Sequence, residues 1–150
     1  EIHERLVGSE MCIRDSYLHP FAVADILKEK GFNDDYQAAG LLHDTLEDTN
    51  ATKEEILKLS NKGVLDTVVL LTKEKEYKMQ DYYNRIINND MAKMVKLADR
   101  YHNLSESTMT NILFKKKYIK ETEEWYLKMA EGTCFEEDIK QALDNLIKSL

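Results

Sequence analysis

An all-α fold, one helical domain of six to eight helices, is predicted by three features of the sequence. Only one proline and five glycines occur in 150 residues, too few breakers for a turn-rich sandwich or barrel. Apolar residues recur at three- and four-residue spacing along most of the chain. The one segment with strand propensity, around Val68-Val69, has no partner strand elsewhere.

Taken in order, Pro20 suits a first helical position, and Phe21, Val23, Ala24, Ile26 and Leu27 give the helix an apolar face that stops at Gly31. A second helix starts at 33–35 with acids at its positive end and runs through Ala38, Leu41, Leu42 and Leu46 to Asp48. Thr52 and Glu55 form a capping box ahead of Ile56 and Leu57. Gly63 separates that helix from another at 64–72. Helices at 77–87 and 91–104 follow, the latter capped by Asn89 or Asp90. A long helix covers 112–130 and ends at Gly132; Thr133 and Glu136 read as a second capping box opening a last helix to Leu150.

Residues 1–16 stand apart. The chain starts at Glu1, and VGSEMCIRDS at 7–16 has no period and resembles a translated sequencing-adapter junction. This segment is expected to be non-native or disordered, with the domain at 17–150.

A net charge of −7 with no basic run argues against nucleic acid or an anionic membrane as partner. No stretch approaches the roughly 18 apolar residues of a membrane span. Two distant cysteines, Cys12 and Cys134, suit a reducing compartment, so the expected location is cytoplasmic.

Three groups of residues carry chemistry. His43-Asp44-Thr45-Leu46-Glu47-Asp48 follows the small and apolar run Ala38–Leu42. On one helix His43 and Glu47, and Asp44 and Asp48, are one turn apart. That geometry suits a bound metal with adjacent acid/base groups; a helix end with solvated acids is the other reading. Asp99 follows Met94, Val95, Leu97 and Ala98, with Lys96 three before it and Asn103 four after. A surface salt-bridge cluster would look similar. His19 precedes Pro20 and should be held extended, as a ligand or as an ordinary histidine. The tyrosines at 77, 82 and 83, with Trp125 and Tyr126, read as core or rim. Lys115-Lys116-Lys117 reads as a solvated face.

In order and spacing, YLHPFAVADIL at 17–27, AAGLLHDTLEDT at 38–49, LLTKEKEY at 70–77 and VKLADRYHNL at 95–104 resemble the HD-domain phosphohydrolases. More narrowly, they are similar to the hydrolase branch of the RelA/SpoT family in its short, stand-alone form. The resemblance implies an HD-type helical fold with one divalent metal, Mn²⁺ first, on His19, His43, Asp44 and Asp99. It implies that Glu47 and Asp48 activate the attacking water and that Asn103 contacts the nucleotide. The implied reaction removes 3′-pyrophosphate from guanosine tetra- or pentaphosphate. Lys73, Lys75, Lys96 and Arg100 are candidates for the remaining phosphate charge. Ser105 and Glu106 stand where many long members place Arg and Thr, which keeps another nucleotide substrate open, such as a nicotinamide dinucleotide phosphate or a nucleoside monophosphate. A non-catalytic helical module with a structural metal is the rival of another class. A di-iron bundle wants paired Glu-x-x-His repeats, and none occurs.

Overall fold

The computed structural model describes residues 14–150, with side chains from Leu18 onward. Every regular element among them is helical. In chain order they are α1 Arg14–Glu29, α2 Asp34–Leu42, α3 Thr45–Asp48, α4 Lys53–Leu59, α5 Lys62–Leu71, α6 Met79–Ile87, α7 Asp90–Glu106, a 3₁₀ turn Ser107–Met109, α8 Ile112–Glu121, a π-helical segment Thr122–Tyr126, α9 Leu127–Ala130 and α10 Glu136–Lys148. Two of the expected helices are interrupted. The 34–48 run breaks at His43-Asp44, and the 112–130 run passes through one π-helical turn.

Chain contacts divide the protein into a unit ending at Val95 and a unit Lys96–Leu150, with the division inside the unbroken α7. In the first unit α1 packs on α2, α2 on α5, and α5 on α4 and α6. Val23, Leu27, Ala39, Ile56, Val64, Val68 and Ile86 form its core. Gly40 makes the α1–α2 approach possible: a Cβ there would lie 2.8 Å from Leu27 Cδ1 and 3.2 Å from Val23 Cγ1. In the second unit α10 packs on α8 and α9, around Tyr126, Met129, Phe135, Ile139 and Leu146.

Several boundaries follow the sequence signals. Gly31, at φ 88°, closes α1 in a Schellman motif, Phe32 N–H donating to Leu27 O and Gly31 N–H to Lys28 O. The Asn33 side chain caps α2, and the Thr52–Glu55 box opens α4.

Three boundaries and one burial differ from the sequence reading. Pro20 lies inside α1, not at its start, so His19 is helical rather than extended. Proline's fixed φ is compatible with a helix; its cost is the missing donor to the Ser16 carbonyl. Gly63 sits in the first turn of α5, whose cap is Asn61. The Thr133–Glu136 box does not form: Thr133 Oγ1 accepts from Phe135 N–H, and Glu136 Oε1 accepts from Gly132 N–H. Lys115 is buried, its ammonium donating to the Ser149 carbonyl at 2.9 Å, whereas Lys116 and Lys117 are exposed as expected.

The reading of 1–16 as a separate segment falls mainly on residues outside those described; Arg14 to Ser16 are part of α1. No helix among the described residues is long and apolar enough to cross a membrane.

Candidate metal centre

His43 is fixed by its own chain. It lies at the break after α2, is 3% exposed, and its Nδ1 sits 2.5 Å from the Gly40 carbonyl. A backbone carbonyl accepts only, so Nδ1 carries a proton, and in the neutral ring Nε2 is the atom left to act as a ligand. Asp44 Oδ2 lies 3.1 Å from that Nε2. That contact is an ion pair when the imidazole is protonated and a pair of neighbouring metal donors when it is neutral. The His19 ring, carried by α1, meets the His43 ring edge to face at 5.5 Å between centroids.

Asp99, 5% exposed, is held from both sides along α7. Lys96 Nζ donates to Oδ2 at 3.1 Å, and Asn103 Nδ2 donates to Oδ1 at 3.3 Å. The i−3 and i+4 spacings place all three on one helix face. His19, His43, Asp44 and Asp99 each offer one ligand atom, and these atoms lie within 4.8 Å of one another. Nitrogen and oxygen ligands about 2.0–2.2 Å from an ion sit about 4 Å apart across it. The cluster could therefore hold one divalent ion with little movement, and a mixed imidazole–carboxylate set suits a borderline divalent metal.

The other expected residues are placed less uniformly. Glu47 and Asp48 are exposed on α3. Glu47 Oε1 accepts a very short hydrogen bond from the Lys73 backbone N–H, which pins α3 to the segment after α5. The Lys73 ammonium lies over the Tyr77 and Tyr82 rings at 5.2 and 5.4 Å. Arg100 is 3% exposed. Its Nη2 donates to Glu121 at 2.9 Å, and Tyr126 and Tyr118 cover its guanidinium at 4.3 and 5.0 Å. Glu106 is exposed, 3.8 Å from His102 Nε2.

Sequence reasoning singled out neither Gly40 nor Glu121. A glycine inside Ala-Ala-Gly-Leu-Leu was the available signal for the first. The second sits 21 residues from Arg100 and carried none.

Two imidazoles and two carboxylates, set among the helices of the described residues, define a candidate one-metal centre. The chain resembles RelA/SpoT-type proteins over most of its length. It is 35% identical over 121 residues to an Aquifex aeolicus protein named guanosine-3′,5′-bis(diphosphate) 3′-pyrophosphohydrolase, covering 75% of this chain and 17% of that one. It is 30% identical over 141 residues to a Brucella ovis protein named GTP pyrophosphokinase, covering 87% of this chain and 19% of the relative. The chain thus spans less than a fifth of the length of these relatives. A crystal structure of a Listeria monocytogenes protein shares the fold with a TM-score of 0.60 at 24% identity, covering 85% of this chain and 94% of that one. No family model matches the chain.

Proposed function

We propose that this chain is a metal-dependent phosphohydrolase that removes the 3′-pyrophosphate of guanosine tetra- or pentaphosphate. The observation that carries the proposal is the cluster of His19, His43, Asp44 and Asp99, followed by two further carboxylates on α3. The names of the relatives support a guanosine nucleotide carrying pyrophosphate. Between the two activities those names give, hydrolysis is the one that needs a water activator, and Glu47 and Asp48 supply it.

In this reading His19, His43, Asp44 and Asp99 hold one divalent ion, Mn²⁺ first. When bound, such an ion supplies positive charge for the phosphates and eases deprotonation of water. Gly40 O keeps the His43 proton on Nδ1 and so keeps Nε2 available. Lys96 and Asn103 orient Asp99. Glu47 or Asp48 takes a proton from the attacking water. The water oxygen bonds to the phosphorus nearest the ribose as the P–O3′ bond breaks, and O3′ leaves as a hydroxyl by taking up the proton that the carboxylate removed from the water. The products are pyrophosphate and guanosine 5′-diphosphate from the tetraphosphate, or guanosine 5′-triphosphate from the pentaphosphate. Asn103, Lys73 and Lys96 contact the substrate, and Arg100, held by Glu121, contributes charge from behind.

Glu106 favours a second reading within the same chemistry. An exposed acid three residues past Asn103 repels a heavily phosphorylated ribose and suits a less charged nucleotide.

The test is a product assay with added Mn²⁺ over guanosine tetraphosphate, a nicotinamide dinucleotide phosphate and a nucleoside monophosphate. Pyrophosphate released from guanosine tetraphosphate alone supports the first reading. Inorganic phosphate from either of the others supports the second, and no product from any substrate rejects both.

A further inference from the structure

Two surfaces of the second unit have no part in the proposed chemistry, and they are opposite in shape and charge. The first is an apolar knob. Met109 is 92% and Leu113 78% exposed, and Ile112 and Phe114 beside them are half-exposed. Single exposed apolar residues are ordinary, but four large ones within six residues form a patch of the kind that marks an interaction site. Its base is fixed. Asn111 caps α8 by accepting from the Phe114 N–H, and the buried Lys115 donates to the Ser149 carbonyl. Lys116, Lys117 and Lys120 are exposed behind the knob, and no acid lies between Asn111 and Lys120. The second surface is a groove of about 510 Å³ between α9 and α10. It has room for more than one large apolar side chain, since roughly 150 Å³ holds a benzene ring. Leu127, Leu143 and Ile147 give it an apolar lining, and its rim carries Glu131, Glu136 and Asp144 against one lysine, Lys140. Lys140 pairs with Glu136 at 3.3 Å, and Lys148, outside the lining, pairs with Asp144 at 2.9 Å. With both lysines counted the rim stays net negative.

We infer that the groove of one copy takes the apolar knob of a second copy of this chain. Leu113, the most exposed residue of α8's first turn, is the anchor that enters the groove. Lys116, Lys117 and Lys120 then lie against the carboxylates of the rim. An apolar centre inside a charged rim is the anatomy of a specific protein interface. An anionic polymer or lipid surface would suit the lysines and leave the groove empty. A small molecule in the groove would leave the knob in water. A second copy satisfies both surfaces at once. α8 and α10 pack on one another, and the Lys115–Ser149 bond fastens the start of one to the end of the other, close in sequence to Ile147. One pair of helices thus carries both surfaces, and a two-fold pair of chains can seat each knob in the opposite groove. The opposed charges speed encounter and fix register more than they add affinity, so the affinity rests on the apolar anchors.

Association does not depend on the phosphohydrolase reading, so either can fail alone. Sedimentation velocity on the full chain over a concentration series tests it, using the wild type, Leu113→Glu, Ile147→Glu and an equal mixture of the two variants. The wild type should pass from monomer to dimer through the micromolar range, and the dimer should tighten at low salt. Each variant alone should raise the dissociation constant about tenfold or more. Both side chains reach solvent, so thermal melting at a concentration where the wild type is monomeric should stay close to wild type. The mixture should associate again, because the Ile147→Glu copy still presents a knob and the Leu113→Glu copy still presents a groove. A wild type that stays monomeric through the micromolar range overturns the inference. So does a dimer that survives either variant, or a mixture no tighter than each variant alone. Should Ile147→Glu fail to fold, Glu131→Lys on the rim takes its place in the same comparison, with the same outcomes.

Discussion

In the proposed reaction Glu47 and Asp48 act on water rather than hold the metal. Neither belongs to the four-residue cluster. Glu47→Gln keeps an oxygen that can accept from the Lys73 N–H, so the fastening survives while the proton acceptor is lost. Turnover should fall about two to four orders of magnitude with metal content unchanged by elemental analysis, and Asp48→Asn should behave alike. Loss of metal in either variant would assign the residue to the ligand set instead. Tyr36 offers a residue-scale check of the structure itself. Its hydroxyl donates to Asp90 Oδ2 at 2.6 Å, and that bond pushes its pKa up to about 12. The unfolded phenol ionises near about 10, so this bond's contribution is full below pH 10 and is lost as the pH rises to 12. Ultraviolet titration should show one fewer late-ionising tyrosine in Tyr36→Phe.

Among the elements, the α1–α2 contact positions both histidines of the cluster. Gly40 serves it twice, through the space its missing Cβ leaves for Leu27 and Val23 and through the carbonyl that takes the His43 proton. Leu27 and Val23 are fully buried and have nowhere to move. Gly40→Val should therefore cost about 1–3 kcal/mol by overpacking, read as a lower denaturant midpoint. Mn²⁺ affinity should fall with it, because His19 rides on α1. The helices themselves were largely legible, since caps and stops are local signals: Gly31, Asn33, Thr52 and Asn89 act where they stand in the sequence. The errors share a physical origin. Pro20 satisfies a start signal and an interior position with one φ. Thr133 and Glu136 have box spacing, but their backbone N–H groups donate to the Ala130 and Thr133 carbonyls, and the two side chains take the Phe135 and Gly132 N–H groups instead. Lys115 reads as surface by its neighbours and is buried by a carbonyl 34 residues away.

For the whole molecule, the candidate ligands were named through the family resemblance, whose motifs fix residue type, order and spacing; read alone, His19, His43-Asp44 and Asp99 each kept an ordinary structural alternative. The contacts around Arg100 and the fastening of Glu47 were not legible, because they join side chains or backbone 18 to 26 residues apart. In the proposed reading, metal binding coupled to folding would make the cluster a stability element as well. Thermal denaturation should move upward with saturating Mn²⁺ in the wild type and stay fixed in Asp99→Ala. The account stands or falls on metal-dependent release of pyrophosphate, and a titration tests it most directly: metal-stripped protein, guanosine tetraphosphate and rising Mn²⁺, with products separated by chromatography. Guanosine 5′-diphosphate and pyrophosphate should appear in equal amounts, at a rate that reaches its plateau at one equivalent of tightly bound metal per chain. Equal product without metal, a plateau at two equivalents, or no product at any metal concentration would contradict it.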